Sequence, residues 1–328
     1  MPYNSVVNVE DVIPVEVSRE LAGLVAQSSV AMRRGRKLQN MSAAQRRMPV
    51  MSAMATAYFV DSSPVPGLKQ TTDVSWENKF IEAEEVAVIV PISQHQLDDS
   101  DFDIWAEVKP ALVTAFGKTI DQAVLYETNI PASWKTNMGG TGIVAGATAA
   151  SKVVSIAAYD DTYAAILGAK ADGTPGLFGQ VEKGGRMVTG SVAAFPMMGR
   201  LRNVREMVWD GTELVPAGQP LFTQTNGQFS LNGSPVDFPE NGSVVEANGL
   251  MIAGQWDQLL YAMRQDMTYR VLDQAVITDN QGTIIYNLAQ QDMVALRAVM
   301  RIGFALPNQI TAGGASATSR YPFAVLTA

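Results

Sequence analysis

The residues with the most evident chemical capacity lie between positions 95 and 103. The stretch AEEVAVIVPISQHQLDDSDFD (residues 83–103) carries the chain's one histidine, His95, followed by Asp98, Asp99, Asp101 and Asp103. A histidine beside carboxylates could serve as a general acid–base pair, and closely spaced aspartates could hold a hard cation. The cation reading fails on spacing: the position that needs a glycine is Ile104, and the one that needs a bidentate acid is Pro110. His95 has no second histidine with which to share a metal, and it sits between Gln94 and Gln96 behind a run of β-formers. The histidine is therefore read as structural and the aspartates as a helix start, where free N–H groups and the helix dipole favour negative charge.

Other motifs fall in the same way. Gly117–Thr119 (GKT) has Leu112 where a phosphate loop needs its first glycine, and it lies in a helical pattern. MGGTGIVAG places Gly140, Gly142 and Gly146 off the dinucleotide-binding spacing and reads as a flexible link. Asn40, Asn232 and Asn241 match a glycosylation pattern that has no meaning without secretion. Without cysteine there are no disulfides, thiolate metal sites or cysteine nucleophiles. No catalytic, cofactor-binding or metal residue is assigned, and no enzyme or cofactor is expected.

The elements that must position these residues follow from periodicity. Val17, Leu21, Leu24 and Val25 predict a short helix over about 15–30. RRMPVMSAMATAYFV reads as a strand in its second half. A polar, turn-rich excursion then separates it from a second strand run, KFIEAEEVAVIVPIS, which together suggest an extended hairpin. Such a hairpin has no core of its own and must lie on something else. Ile104, Val108, Leu112, Phe116, Ile120 and Val124 recur every four residues and predict one apolar helical stripe. Pro110 predicts a break near Lys109, with a second helix starting there. Residues 160–171 read as helix. Four Asn-Gly pairs between Asn226 and Gly249 predict a β-rich stretch. MIAGQWDQLLYAMRQDMTYRVL reads as a strand and a short helix, VALRAVMRIGFALPNQI as a long β run, and SRYPFAVLTA as a last strand.

Charge is unevenly spread. Arg33, Arg34, Arg36, Lys37, Arg46 and Arg47 form a basic cluster without an acid, whereas Glu82, Glu84, Glu85, Asp98, Asp99, Asp101, Asp103 and Glu107 form a run without Lys or Arg. The basic cluster has no interleaved aromatics for nucleic-acid stacking, so pairing with the acidic run, in the same or a neighbouring subunit, is the preferred reading. The first 30 residues show no secretory signal and no stretch is long and apolar enough for a membrane helix, so a soluble chain made in the cytoplasm is expected.

Taken in order, IPVEVSRELAGLVAQSS, KFIEAEEVAVIVPIS, QLDDSDFDI, AFGKTIDQAVLYETNIP, MIAGQWDQLLYAMRQDM and VALRAVMRIGFALPNQI resemble successive blocks of the major capsid proteins of tailed double-stranded DNA phages. The resemblance, which spans about 15–310, implies the α+β Hong Kong 97-type fold. It implies an N-terminal arm with a short helix (1–52), an E-loop hairpin (53–92) and a peripheral domain with a spine helix (93–135). An axial domain (136–264), a return to the peripheral domain (265–310) and a C-terminal strand joining the axial domain (311–328) follow. Leu112, Phe116, Ile120 and Val124 become the spine-helix core, and the basic and acidic clusters become inter-subunit contacts. The implied function is a virion shell of hexamers and pentamers around double-stranded DNA, assembled in the host cytoplasm. The implied partners are further copies of the chain, portal and decoration proteins, packaged DNA in non-specific contact, no membrane, and a scaffolding protein. Met1 favours a separate scaffold. Some members cross-link a lysine to an asparagine; Lys69, Lys79 and Asn287 match only loosely, and non-covalent contacts are expected. The alternative is an encapsulin-type compartment around cargo enzymes.

Overall fold

The computed structural model describes residues 24–25, 27–55, 57, 59, 71–99, 104–170, 172–209, 214–279, 281–311, 313–314 and 316–328. The helix read over 15–30 lies mostly outside them. Its described part is helical to Ser28, and Ser29 then caps a separate helix, α1 (Val30–Arg34), by accepting from the Met32 amide at 3.2 Å.

Strands β1 (Arg36–Lys37), β2 (Gln45–Ala53), β3 (Ser75–Glu82) and β4 (Glu84–Ser93) follow. The long hairpin is β2 paired with β3, so its first strand occupies the first half of RRMPVMSAMATAYFV, not the second. KFIEAEEVAVIVPIS is two strands, divided at Ala83, and only the first belongs to the hairpin. The division has a physical cause. Ala83 is buried, and beyond it the chain joins a different sheet, whose neighbour β16 takes ten residues of β4 in register. Pro91 sits at that sheet's edge, where its missing N–H costs no ladder bond.

A short helix, α2 (Gln94–Asp98), precedes the long α3 (Ile104–Tyr126). The expected break does not occur: α3 runs unbroken through Pro110. The proline lies in the second turn, where its missing N–H removes one bond close to a helix end, and packing of the following turns outweighs that loss. Leu112, Phe116, Ile120 and Val124 are all buried, in one cluster with Leu296, Met300, Ile302 and Phe304 of the facing sheet.

The Gly/Ala-rich stretch is not a flexible link. It folds as α4 (Ala132–Asn137) and α5 (Ile143–Ala149), with Trp134 and Ile143 buried in the same cluster. Trp134 meets Phe304 edge-on at 5.0 Å and donates its Nε1–H to the Glu82 carbonyl at 3.2 Å, which ties this stretch to the hairpin's base.

The remaining strands are β5 (Val153–Ser155), β6 (Gly190–Ala193), β7 (Val208–Trp209), β8 (Leu214–Val215), β9 (Phe222–Thr225), β10 (Gln228–Leu231), β11 (Ser234–Asp237), β12 (Met251–Gly254), β13 (Leu260–Leu272), β14 (Val276–Thr278), β15 (Ile284–Asn287), β16 (Met293–Ala305) and β17 (Phe323–Thr327). The short helix expected after MIAGQWD is instead the thirteen-residue β13, which pairs antiparallel with β16. Its alternating large side chains lie against α3 on one face, so tertiary pairing overrides the helical reading of LLYAMRQ. Helix in the 160–171 region is confined to Thr162–Ile166, just before Leu167-Gly168. Two of the four Asn-Gly pairs, Asn226-Gly227 and Asn232-Gly233, make two-residue hairpins with positive φ at both residues.

Besides the two-stranded pairs β2-β3, β7-β8 and β14-β15, two larger sheets form, one in the order β1-β13-β16-β4 and one in the order β5-β17-β12-β6-β11-β10-β9. Alternation along the second divides its side chains. Val192, Ile252 and Val325 face the core shared with α3, while Ala193, Met251, Ala253 and Leu326 face a second core. One continuous apolar core therefore joins α3 to both sheets.

Candidate functional site

Among the described residues no carboxylate is recorded in contact with the histidine. His95 is exposed on α2, and Asp99 beside it is exposed too. Asp101 and Asp103 lie outside the described residues. Among the described residues no three His, Cys, Asp or Glu side chains come together as metal ligands, and no helix is long and apolar enough to cross a membrane.

The polar centre that the fold does build is Asp121, buried in the C-terminal part of α3. Its carboxylate accepts from Ser29 Oγ at 2.7 Å and from the Val30 and Ala31 amides at 3.1 and 2.9 Å. It also accepts from Asn241 Nδ2 at 2.8 Å and Ser243 Oγ at 3.3 Å. Asp121 thus fills the N-terminus of α1 and at the same time holds the loop after β11, so three segments meet on one side chain. Burial pushes its carboxyl above the ordinary 3.8, and the hydrogen bonds from Ser29, Ala31, Asn241 and Val30 offset this only in part. Gly117 stands one turn before it on α3. A Cβ there would lie 2.6 Å from Ser28 Oγ, so the glycine of the GKT triplet lets the N-terminal segment cross the helix. Sequence reading missed Asp121, whose one local signal is an acid with Gly117 and Leu125 at i−4 and i+4.

The basic cluster is divided. Arg33 and Arg34 both pair with Asp237 at the end of β11, Arg33 at 3.1 Å. Asp237 lies outside the acidic run that the charge pattern had singled out, and it ties α1 to the seven-stranded sheet. Arg36, Lys37, Arg46 and Arg47 form no ion pair among the described residues; Arg46 donates to the Gln39 carbonyl at 3.3 Å. Within the acidic run, Glu82 accepts from Gln45 at 2.6 Å and Glu84 from Ser133 at 2.6 Å, while Glu85 is exposed. Lys79 pairs with Glu77 at 3.0 Å and Asn287 Nδ2 donates to the Gln290 side chain at 2.8 Å; Lys69 lies outside the described residues.

The hairpin presents apolar side chains to solvent, with Trp76 64% exposed and Met54 and Val74 46% each. Trp76 stands near the loop end of the two-stranded ribbon, and an aromatic left this open is the kind of feature that marks an interaction surface.

Comparison with known proteins agrees with this architecture. The model of the phage capsid family matches residues 10–310. The major capsid protein of Staphylococcus phage 80alpha is 26% identical over 283 residues, which is 85% of this chain and 76% of that one. A solved chain from Microbacterium phage Oxtober96 is 32% identical with a TM-score of 0.70, covering 91% of this chain and 90% of its own. One from Mycobacterium phage Adephagia is 26% identical with a TM-score of 0.72, covering 99% and 98%. The chain belongs to the phage capsid family.

Proposed function

We propose that copies of this chain associate as hexamers and pentamers and close an icosahedral shell around double-stranded DNA, as the major capsid protein of a virion. The observation that carries the reading is the β2–β3 ribbon, which has no core and exposes Trp76, Met54 and Val74. In this reading it is the E-loop, laid on a neighbouring subunit. The four-stranded sheet with α3 is the peripheral domain, and the seven-stranded sheet is the axial domain around the symmetry axes. The peripheral return then begins near Leu260, because β13 is unbroken across position 265.

Arg36, Lys37, Arg46 and Arg47 meet acids of the Glu82–Glu107 run across subunits, among them Glu85, Asp98, Asp99, Asp101 and Asp103. A scaffolding protein, a portal and decoration proteins complete the particle, which forms in the host cytoplasm. The relatives are capsid proteins of phages, which favours a genome over enzyme cargo as the content. No catalytic role is assigned. Electron microscopy of the chain produced alone and with the proteins encoded beside it is the test. Closed shells or ring-shaped capsomers support the proposal, and a chain that stays monomeric under both conditions overturns it.

A further inference from the structure

The four-stranded sheet ends in an open strand. Among the described residues β4 pairs with β16 on one side and with no strand on the other. Its ladder continues into the Gln94 amide, which donates to the Asp292 carbonyl at 2.9 Å. That parity turns the main chain of the even positions, Glu84 to Ile92, toward β16 and that of the odd positions toward the open edge. The N–H and carbonyl groups of Glu85, Ala87 and Ile89 therefore point outward, and they meet no partner among the described residues. The stretch is bounded on both sides. The Ala83 amide is taken by the Ala44 carbonyl at 2.8 Å, and Pro91 has no N–H to offer.

The side chains of these three residues are exposed, Ile89 at 41%, whereas Val86, Val88 and Val90 pack on the core under α3. On the same outer face, β16 sets Arg301 beside Glu85 and Arg297 beside Ile89. Arg297 is exposed and has no ion pair among the described residues. Unmet donors beside small and apolar side chains make an edge that accepts another strand.

This edge is complementary to itself. In an antiparallel pair centred on Ala87, Ala87 faces Ala87 and Glu85 faces Ile89, so all three free donors of each copy meet free acceptors of the other. Glu85 then lies across Ile89 from Arg297 of the other copy, one strand spacing of about 4.8 Å further on, and the charges answer. Moving the centre by one residue sets Glu85 against Pro91 or Ala87, with Ala295 or Val299 behind, and leaves Arg297 unanswered.

We propose that β4 pairs antiparallel with β4 of a second copy about a two-fold axis at Ala87, which joins two four-stranded sheets into one. This rests on the self-association proposed above, and it gives Glu85 to Arg297, leaving the basic segment to the other acids of the run.

The chain has no cysteine, so introduced thiols report the contact. Ala87→Cys sets two thiols across the axis with Cα atoms about 5.5 Å apart, within the roughly 4.4–6.8 Å that a disulfide spans. Glu85→Cys sets them about 13 Å apart. In particles of the full chain treated with an added oxidant, Ala87→Cys should give disulfide dimers on a non-reducing gel, and Glu85→Cys should stay monomeric. Glu85→Cys combined with Ile89→Cys should dimerise again, and it decides the matter alone if Ala87→Cys does not fold. Dimers from Glu85→Cys by itself overturn the register. If Ala87→Pro, which removes the central donor, stops assembly while no thiol pair cross-links, the edge takes a different strand and the proposal is wrong. Particles that form normally without these cross-links defeat this contact alone, whereas a wild-type chain that never self-associates defeats the shell reading and this contact with it.

Discussion

Replacing Asp121 tests whether one carboxylate orders three segments. Asp121→Ala leaves five donors without their acceptor: the Val30 and Ala31 amides, Ser29 and Ser243 Oγ, and Asn241 Nδ2. The hydroxyls and the amide side chain can turn elsewhere, but the two main-chain N–H groups are fixed at the start of α1. A buried donor left unmet costs about 1–3 kcal/mol, so these two alone cost about 2–6 kcal/mol. Removing a desolvated carboxylate returns part of this, and a net loss of about 3 kcal/mol is expected. Asp121→Asn keeps one acceptor oxygen and should lose roughly half as much. The sign of the pH dependence follows from the raised carboxyl. The folded chain binds that proton more tightly than the unfolded chain, so the group's contribution is full below 3.8 and is lost as pH rises through the folded value. The gap between wild type and Asp121→Asn should therefore widen as pH falls from neutrality. Urea unfolding of the unassembled chain, followed by the fluorescence of the buried Trp134 and Trp256, measures both quantities. The reasoning is wrong if Asp121→Ala stays within about 1 kcal/mol of wild type, or if Asn is worse than Ala.

Five further outcomes are expected. Phe116→Ala should cost about 3–5 kcal/mol and leave unassembled or insoluble protein, because Phe116 is 2% exposed against the sheet. His95→Ala should give a normal particle yield by sedimentation, since the histidine is exposed. Shortening the hairpin by deleting residues 54–74 should leave a folded subunit, by circular dichroism, that closes no shells; normal shells would remove the E-loop assignment. Neutralising Arg46 and Arg47 together should weaken particles more in low salt than in high, because exposed pairs contribute only about 0.2–1 kcal/mol each but repeat over a shell. In the unassembled chain, burial lowers the Lys152 ammonium to about 8, so stability rises as pH goes from about 8 toward 10, a slope that Lys152→Met should abolish in pH-resolved unfolding.

What could be read from the sequence was what local pattern controls. The α3 stripe shows because Leu112, Phe116, Ile120 and Val124 repeat at helical spacing and share one core. The turns at Asn226 and Asn232 show because an Asn-Gly pair alone supplies two positive φ values. Where the reading failed, a partner distant in sequence had decided. β13 reads as helix until β16 pairs with it along almost its whole length. Pro110 reads as a break until packing holds the helix through it. Arg33 and Arg34 read as partners of the nearest acidic run, but Asp237, some two hundred positions away, lies beside them in the fold.

The polar junctions were the least legible for the same reason, and they carry the specificity of the architecture. Asp121 reaches Ser29 across 92 positions and Asn241 across 120, and Lys152 reaches Tyr321 across 169. Apolar packing places α3 on its sheet but is non-directional, so by itself it would accept several exit paths for the N-terminal segment. A buried carboxylate that accepts two main-chain amides admits one path only, since any other leaves donors unmet. The path by which α1 crosses the long helix and delivers β1 to the edge of the four-stranded sheet is therefore set at Asp121.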